Sequence, residues 1–271
     1  MRTYGSIPEL RVALAGAPRP VGFVPTMGAL HEGHAELVRR CRAACATVVS
    51  SVFVNPMQFG PNEDLSRYPR DLPKDQRLLE QNGCNVLFAP APGDVYPEGF
   101  SASIDIGPLA TVYEGAVRPG HFAGVCTVVL KLFHIVKPDV AFFGQKDAQQ
   151  LAVIRKLVLD LDLDLAIEAV PTVRAPDGLA LSSRNAYLSA AEREQALGIS
   201  RGLFRARGLW ERGERAPGKL VEAAREKGLS YDYLDAVDPG TFGAPAPGAP
   251  LLLVTAARVG RTRLLDNVLL G

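Results

Sequence analysis

Pro25-Thr26-Met27-Gly28-Ala29-Leu30-His31-Glu32-Gly33-His34 is the stretch on which the reading of this chain turns. It follows a short apolar run, Val21 to Val24, that reads as a buried strand, and it leads into an amphipathic helical pattern starting near Ala35. Two histidines three residues apart, framed by Gly28 and Gly33, therefore fall where a strand passes into a helix N-terminus. At such a junction the unpaired main-chain N–H groups and the helix dipole together attract phosphate. Gly33 has no Cβ, so a bulky ligand can come close to its backbone. A nucleotide site is the expectation.

Outward from this segment, strand-like and helical patterns alternate. Val48–Val54, Asn85–Phe88, Val140–Phe143 and Leu165–Val170 read as buried strands. Residues 35–46, 74–82, 125–136 and 149–159 read as helices, the third stopped by Lys137-Pro138. Ser103–Ile106 is a candidate for one further short strand. This alternation predicts an α/β fold, a Rossmann-like parallel sheet covered on both faces. After Val173 the pattern changes to helices (residues 190–207 and 218–227) followed by strands at 232–237, 251–257 and 262–265, with a Gly/Ala/Pro-rich loop over 240–250. The expected organisation is a nucleotide-binding domain over 1–173 and a smaller α+β lid domain over 174–271.

The 271 residues carry a formal net charge of +1, with 47% hydrophobic and 22% charged side chains. That balance describes an ordinary soluble globular protein and gives no sign of a nucleic-acid or membrane-surface reader. The N-terminal segment has Glu9 and Arg11 where a secretory leader needs an unbroken apolar core, and no apolar run reaches membrane-spanning length. The cysteines, Cys41, Cys45, Cys84 and Cys126, form no metal-ligand spacing and fit small buried residues in a reducing compartment. A cytoplasmic protein is expected.

In an open parallel sheet, ligands bind beyond the carboxyl ends of the strands. The polar segments of this chain sit there: 27–34, Asn55-Pro56-Met57-Gln58-Phe59, Gly144-Gln145-Lys146-Asp147 with Gln149 and Gln150, Val173-Arg174, and Ser182-Ser183-Arg184-Asn185. No G-x-x-x-x-G-K-[ST] loop, no G-x-G-x-x-G, no H-E-x-x-H and no G-x-S-x-G elbow occurs. Imidazole, lysine, arginine and serine donors without an evident nucleophile suit in-line displacement at phosphorus, where positioning and charge neutralisation supply most of the catalysis. Blander readings exist for several residues. Asn55-Pro56 is a common turn dipeptide, Lys146-Asp147 could be an exposed helix start, and Ser182–Asn185 could cap a helix. His121 is expected to order a loop, and His134 to be structural.

The segments PTMGALHEGH, FVNPMQFG, RPGHFAGV, FFGQKDAQQL and PTVRAPDGLALSSRN, in this order over residues 21–188, resemble the pantothenate synthetase family of the His-x-Gly-His nucleotidyltransferase superfamily. The resemblance implies ATP-dependent condensation of (R)-pantoate with β-alanine, giving pantothenate, AMP and pyrophosphate through an enzyme-bound pantoyl adenylate, with Mg2+ on the triphosphate. It implies that Met27, Gly28, Ala29, Leu30, His31, Glu32, Gly33 and His34 line an ATP cradle, with His31 and His34 on the triphosphate and His34 as proton donor. Gln58 and Gln150 are implied for the pantoate hydroxyl and carboxylate, with Gln58 also near β-alanine. Gly144, Gln145, Lys146 and Asp147 are implied for adenosine and phosphates, with Asp147 on ribose and Lys146 catalytic on the phosphates. Val173 is implied for adenine, and Leu181, Ser182, Ser183 and Arg184 for the phosphates, with Arg184 catalytic. A homodimer is the family expectation. Leu181 and Ala148 depart from the commonest family pattern, where methionine and a large aromatic residue are frequent.

Two other functions compete with the ligase: a nucleotidyltransferase that keeps the nucleotide in its product, and a catalytically silent nucleotide-binding regulator. Gln58 and Gln150 favour the ligase, since they suit a small hydroxy acid better than a second phosphate. Retention of Lys146, both histidines and Arg184 opposes the silent protein.

Overall fold

A computed structural model describes every residue except Asn62 and Asp64. The chain divides into two compact units, one of Met1–Gln145 with Val153–Val170, the other of Lys146–Ala152 with Pro171–Gly271.

The first unit contains β1 (Arg2–Tyr4), α1 (Ile7–Leu14), β2 (Val21–Thr26), α2 (Glu32–Ala44), β3 (Thr47–Val52), α3 (Leu72–Gln81), β4 (Val86–Phe88), α4 (Pro92–Val95), α5 (Glu114–Val117), α6 (His121–Val136), β5 (Val140–Gly144) and β6 (Ala166–Val170). Between β5 and β6 runs α7 (Ala148–Asp160), whose length is shared by the two units. All six strands are parallel, in the order β1-β4-β3-β2-β5-β6. With both faces covered, β2 and β3 are buried at nearly every position rather than at alternate ones, and β2 is almost continuously apolar while β3 carries buried Thr47, Ser50 and Ser51. Successive residues of β2 serve opposite faces. Phe23 meets Phe133 of α6 edge-on, ring centroids 6.4 Å apart. Val24, its neighbour, joins Leu37, Val38 and Cys41 of α2 in the core cluster on the other side.

Several boundaries move from the sequence expectation. The helix expected at Ala35 begins at Glu32, and the one expected at Val125 begins at His121. β1 and α1 were not expected at all. Ser103–Ile106 is not a strand: Ile104 N–H donates to Thr127 Oγ1 of α6 (3.1 Å), so this extended segment is tied to a helix and not to a sheet edge. His134 is exposed on the outer side of α6, and so is not a core histidine.

The second unit contains α8 (Ala190–Glu211), α9 (Pro217–Ala224), β7 (Ser230–Val237), β8 (Leu251–Val259) and β9 (Thr262–Leu270). The strands form an antiparallel meander in the order β7-β8-β9. Its apolar face packs on α8 and α9 through Ile199, Leu203, Leu220, Leu234, Leu253 and Leu264. A reciprocal cap sets the start of α8: Ser189 Oγ accepts from Glu192 N–H and Glu192 Oε2 accepts from Ser189 N–H. Arg174 forks onto the buried carboxylate of Asp266 with both guanidinium nitrogens (2.7 and 2.8 Å).

Candidate active site

At the end of β2 the chain must turn sharply to enter α2. Gly28 does so with φ +86°, where a Cβ would stand 2.9 Å from Asp75 Oδ2 and 3.1 Å from Val52 Cγ1. Ala29 follows with φ +52°, a left-handed conformation that costs a non-glycine residue energy unless its surroundings hold it there. Asp75 of α3 does the holding. Its Oδ2 accepts from Ala29 N–H (3.1 Å) and its Oδ1 from Leu30 N–H (2.8 Å). Only 2% of Asp75 is exposed. Burial pushes its carboxyl above the usual carboxylate range, while the Leu30 and Ala29 amides oppose that shift by stabilising the charged form. Sequence reading missed Asp75. The available signal was an acid four residues before Leu79, on the face of α3 where helical spacing calls for an apolar side chain.

The two histidines explain why α2 starts early. His31 is the N-cap: its Nδ1 accepts from Gly33 N–H (3.1 Å), the role a serine or aspartate commonly fills. His34 Nδ1 reaches back to accept from His31 N–H (3.3 Å), which completes a reciprocal capping box. The rings lie 4.2 Å apart, inclined at 49°. A main-chain N–H can only donate, so each Nδ1 must be the unprotonated acceptor and each neutral ring carries its proton on Nε2. Gly33 is also required by this arrangement, because a Cβ there would lie 2.8 Å from His31 Cε1.

After β3, Asn55 Oδ1 accepts from Met57 N–H (3.2 Å) and forms the expected Asn-Pro turn. Gln58 is buried in that turn, and α6 seats directly on it. Gly124 makes the seating possible, since a Cβ there would fall 2.3 Å from Met57 O. His121, the first residue of α6, donates from Nδ1 to Gln58 O (2.9 Å) and faces Arg118 Nη1 with Nε2 (3.0 Å). Arg118 is itself forked onto Glu63 through Nε and Nη2. Burial, with the Arg118 guanidinium adding to it, lowers His121 to about 4, so the ring stays neutral and holds both bonds. His121 therefore fixes the main chain at Gln58, a more specific task than ordering a loop.

Gly144 closes β5 and Gln145 begins the turn that follows. Since β3 and β5 are the two neighbours of β2, residues 27–34, Gln58 and Gly144 all leave the same carboxyl edge of the parallel sheet.

In the second unit, Lys146 Nζ lies 3.2 Å from Asp147 Oδ1, and Lys146 O accepts from Asn267 Nδ2 (2.9 Å). Gln149 is buried and Gln150 half-buried at the start of α7. Val173 and Leu181 are brought together by a turn through Asp177 and Gly178, with Leu181 N–H donating to Val173 O (2.9 Å). Ser182 Oγ accepts from Arg184 N–H (3.3 Å) and caps the short turn over Ser183–Tyr187; the Arg184 side chain is exposed. Among the described residues, no cluster of three or more His, Cys, Asp or Glu side chains could hold a metal ion. No helix among them is long and apolar enough to cross a membrane.

A parallel α/β sheet whose central strand runs into a histidine-capped helix defines the class, a nucleotide-binding α/β enzyme. The sequence model of the pantoate-beta-alanine ligase family matches residues 2–269, and the chain belongs to that family. It is 52% identical over 279 residues to pantothenate synthetase 1 of Bradyrhizobium diazoefficiens, covering 100% of this chain and 99% of that one. The crystal structure of pantothenate synthetase from Thermus thermophilus superposes with a TM-score of 0.93 at 46% identity, covering 99% of each chain. The pantoate-beta-alanine ligase of Francisella tularensis, crystallised with beta-gamma ATP and beta-alanine, gives a TM-score of 0.79 at 35% identity over 99% of this chain and 97% of that one. The chain is thus a ligase that forms pantothenate from pantoate and β-alanine.

Proposed function

We propose that the ligation proceeds through pantoyl adenylate, with ATP held by its phosphates at the N-terminus of α2. A pantoate carboxylate oxygen attacks the α-phosphorus and pyrophosphate leaves. The β-alanine amine then attacks the activated carbonyl, forming the amide, releasing AMP and giving up a proton. Neither step needs a nucleophile from the protein. The observation that carries this reading is the reciprocal cap of His31 and His34, which fixes the proton of each ring on Nε2 at a helix start. Two neutral N–H donors there suit the charge that develops on phosphate oxygens, where one well-placed donor is worth roughly 10²–10³ in rate.

The remaining roles follow the sequence expectations. His34 is the proton donor; Met27–His34 form the ATP cradle; Gln58 and Gln150 bind pantoate. Gly144–Asp147 hold adenosine and phosphates, Val173 meets adenine, and Leu181–Arg184 bind phosphate within a lid domain over 174–271. Magnesium enters with ATP as part of the substrate, since the ion prefers phosphate and water oxygens to an all-protein cage. We further place the enzyme in the cytoplasm as a homodimer.

Exchange of labelled pyrophosphate into ATP tests the reading. Exchange that requires pantoate and proceeds without β-alanine is the expected result. Exchange driven only by other acceptors, or none, overturns the adenylate.

A further inference from the structure

The hydrogen bonds around Gln58 have a polarity that can be read without ambiguity, because it is anchored at both ends by main-chain groups. Asn55 Oδ1 accepts from Met57 N–H, which can only donate (3.2 Å). Asn55 Nδ2 donates to Gly124 O, which can only accept (3.1 Å). The amide of Asn55 is therefore oriented, and the same Nδ2 meets the side-chain oxygen of Gln58 at 3.0 Å. Tyr96 locks this orientation by donating its hydroxyl to Asn55 Oδ1 (2.8 Å). Burial raises the Tyr96 phenol well above its usual range, so the hydroxyl keeps the proton that makes it a donor. Asn55 is 1% exposed and Gln58 7%. Wrong orientations would leave buried donors facing donors, at the cost of unsatisfied polar groups.

We propose that Asn55 and Tyr96 are positioning residues that make Gln58 a dedicated donor: Oε1 is committed to Asn55, and Nε2–H2 is the end presented to substrate. Asn55 also shapes the turn through Met57 N–H, but the Tyr96 hydroxyl touches only the Asn55 amide. The main-chain carbonyl of Gln58 is separately held by His121, so Tyr96 acts on the amide orientation and not on the course of the turn. A site built this way selects an acceptor-rich ligand, a carboxylate or the lone pair of a hydroxyl, and discriminates against a ligand offering a donor at that point. This inference rests on Gln58 being a pantoate residue.

The test measures KM for pantoate and for ATP separately in the full-length enzyme, with three variants. Gln58→Ala probes the underlying reading and should raise KM for pantoate with little change for ATP. Tyr96→Phe keeps the ring against Phe53 and Phe100 and removes only the hydroxyl. It should raise KM for pantoate about three- to tenfold, the worth of one buried hydrogen bond, and leave KM for ATP unchanged. Asn55→Asp retains the acceptor for Met57 and Tyr96 but offers Gln58 a second acceptor, which turns the Gln58 amide over; KM for pantoate should rise more than in Tyr96→Phe. If Gln58→Ala acts as expected but both other variants stay within twofold of the parent, the orienting role is wrong. If KM for both substrates rises together in Tyr96→Phe, the pair is structural only and the proposal falls. A Gln58→Ala variant with unchanged KM for pantoate removes the reading of Gln58 and the proposal with it.

Discussion

His31 and His34 cap one helix reciprocally: His31 Nδ1 takes the N–H of Gly33, and His34 Nδ1 takes the N–H of His31. Each imidazole therefore has one nitrogen occupied in structure and the other protonated, so the two functions of the ring can be separated by substitution. Asparagine places an amide oxygen near the position of Nδ1, and glutamine can place an amide nitrogen near that of Nε2. His34→Asn should fold with a stability loss of no more than about 1 kcal/mol, yet lose pantoate-dependent pyrophosphate exchange by roughly 10²–10³. His34→Gln should retain more exchange than His34→Asn at lower stability. Exchange assays paired with urea unfolding check both; equal activities in the two variants would remove the Nε2–H from the chemistry.

Asp75 should matter to ATP without touching it. Asp75→Ala leaves the buried amides of Ala29 and Leu30 without their acceptor, and each such loss costs about 1–3 kcal/mol. Asp75→Asn keeps one acceptor and turns its NH2 toward the other amide, an intermediate case. The expected result is a graded fall in urea midpoint, with a matching rise in KM for ATP as the left-handed turn at Ala29 relaxes. A full stability loss with unchanged ATP affinity would show that the cradle keeps its shape unaided.

Stability should depend on pH through His121. In the folded protein its ring titrates at about 4, against a reference value of 6.5. Between these pH values the unfolded chain binds the extra proton, so stability falls as pH drops from about 6.5 toward 4, by at most roughly 3 kcal/mol. Above that window His121 contributes no slope, and below it the loss is complete. His121→Asn, which can still donate to Gln58 O, should flatten this part of the profile. Urea melts across the window measure it.

The ion pair of Arg174 with Asp266 should hold the second unit together more by the harm of breaking it than by its net worth. Arg174→Met leaves a carboxylate 4% exposed without its guanidinium, and a loss of about 3–5 kcal/mol is expected. The double variant Arg174→Met with Asp266→Leu should recover most of it, since an apolar pair carries no uncompensated charge. Chemical denaturation of the single and double variants settles the point.

The central elements were legible because local and tertiary signals agree in them. Val21–Val24 is apolar throughout since both sheet faces are covered, and the run stops where the glycine turn starts. The early start of α2 was hidden because histidine is an unusual cap, visible only once its Nδ1 is seen to accept. β1 was hidden for a different reason: it has three residues, with Arg2 and Thr3 exposed, and only its pairing to β4 makes it a strand. Ile104 and Ile106 imitate strand periodicity although no sheet edge receives them. Gln58 was singled out by its place after a strand and given a pantoate role only by the family resemblance, whereas Asp75, Tyr96 and His121 were not assigned the contacts they make. Those contacts hold other residues, and they join positions that the sequence leaves far apart.

The register of β2 carries a consequence for how the protein is made. One edge of the strand pairs with β3, Gly22 beside Val48, and can close early by a short crossover through α2. The other edge pairs Gly22 with Val140, and that partner emerges from the ribosome long after the first. Until then the strand that supports the histidine cap has one edge open. Since long-range parallel pairing is slow and exposes apolar edges to aggregation, the nascent chain is vulnerable in the interval before β5 is synthesised, and the turn that carries the histidine cap gains its second flanking strand only then.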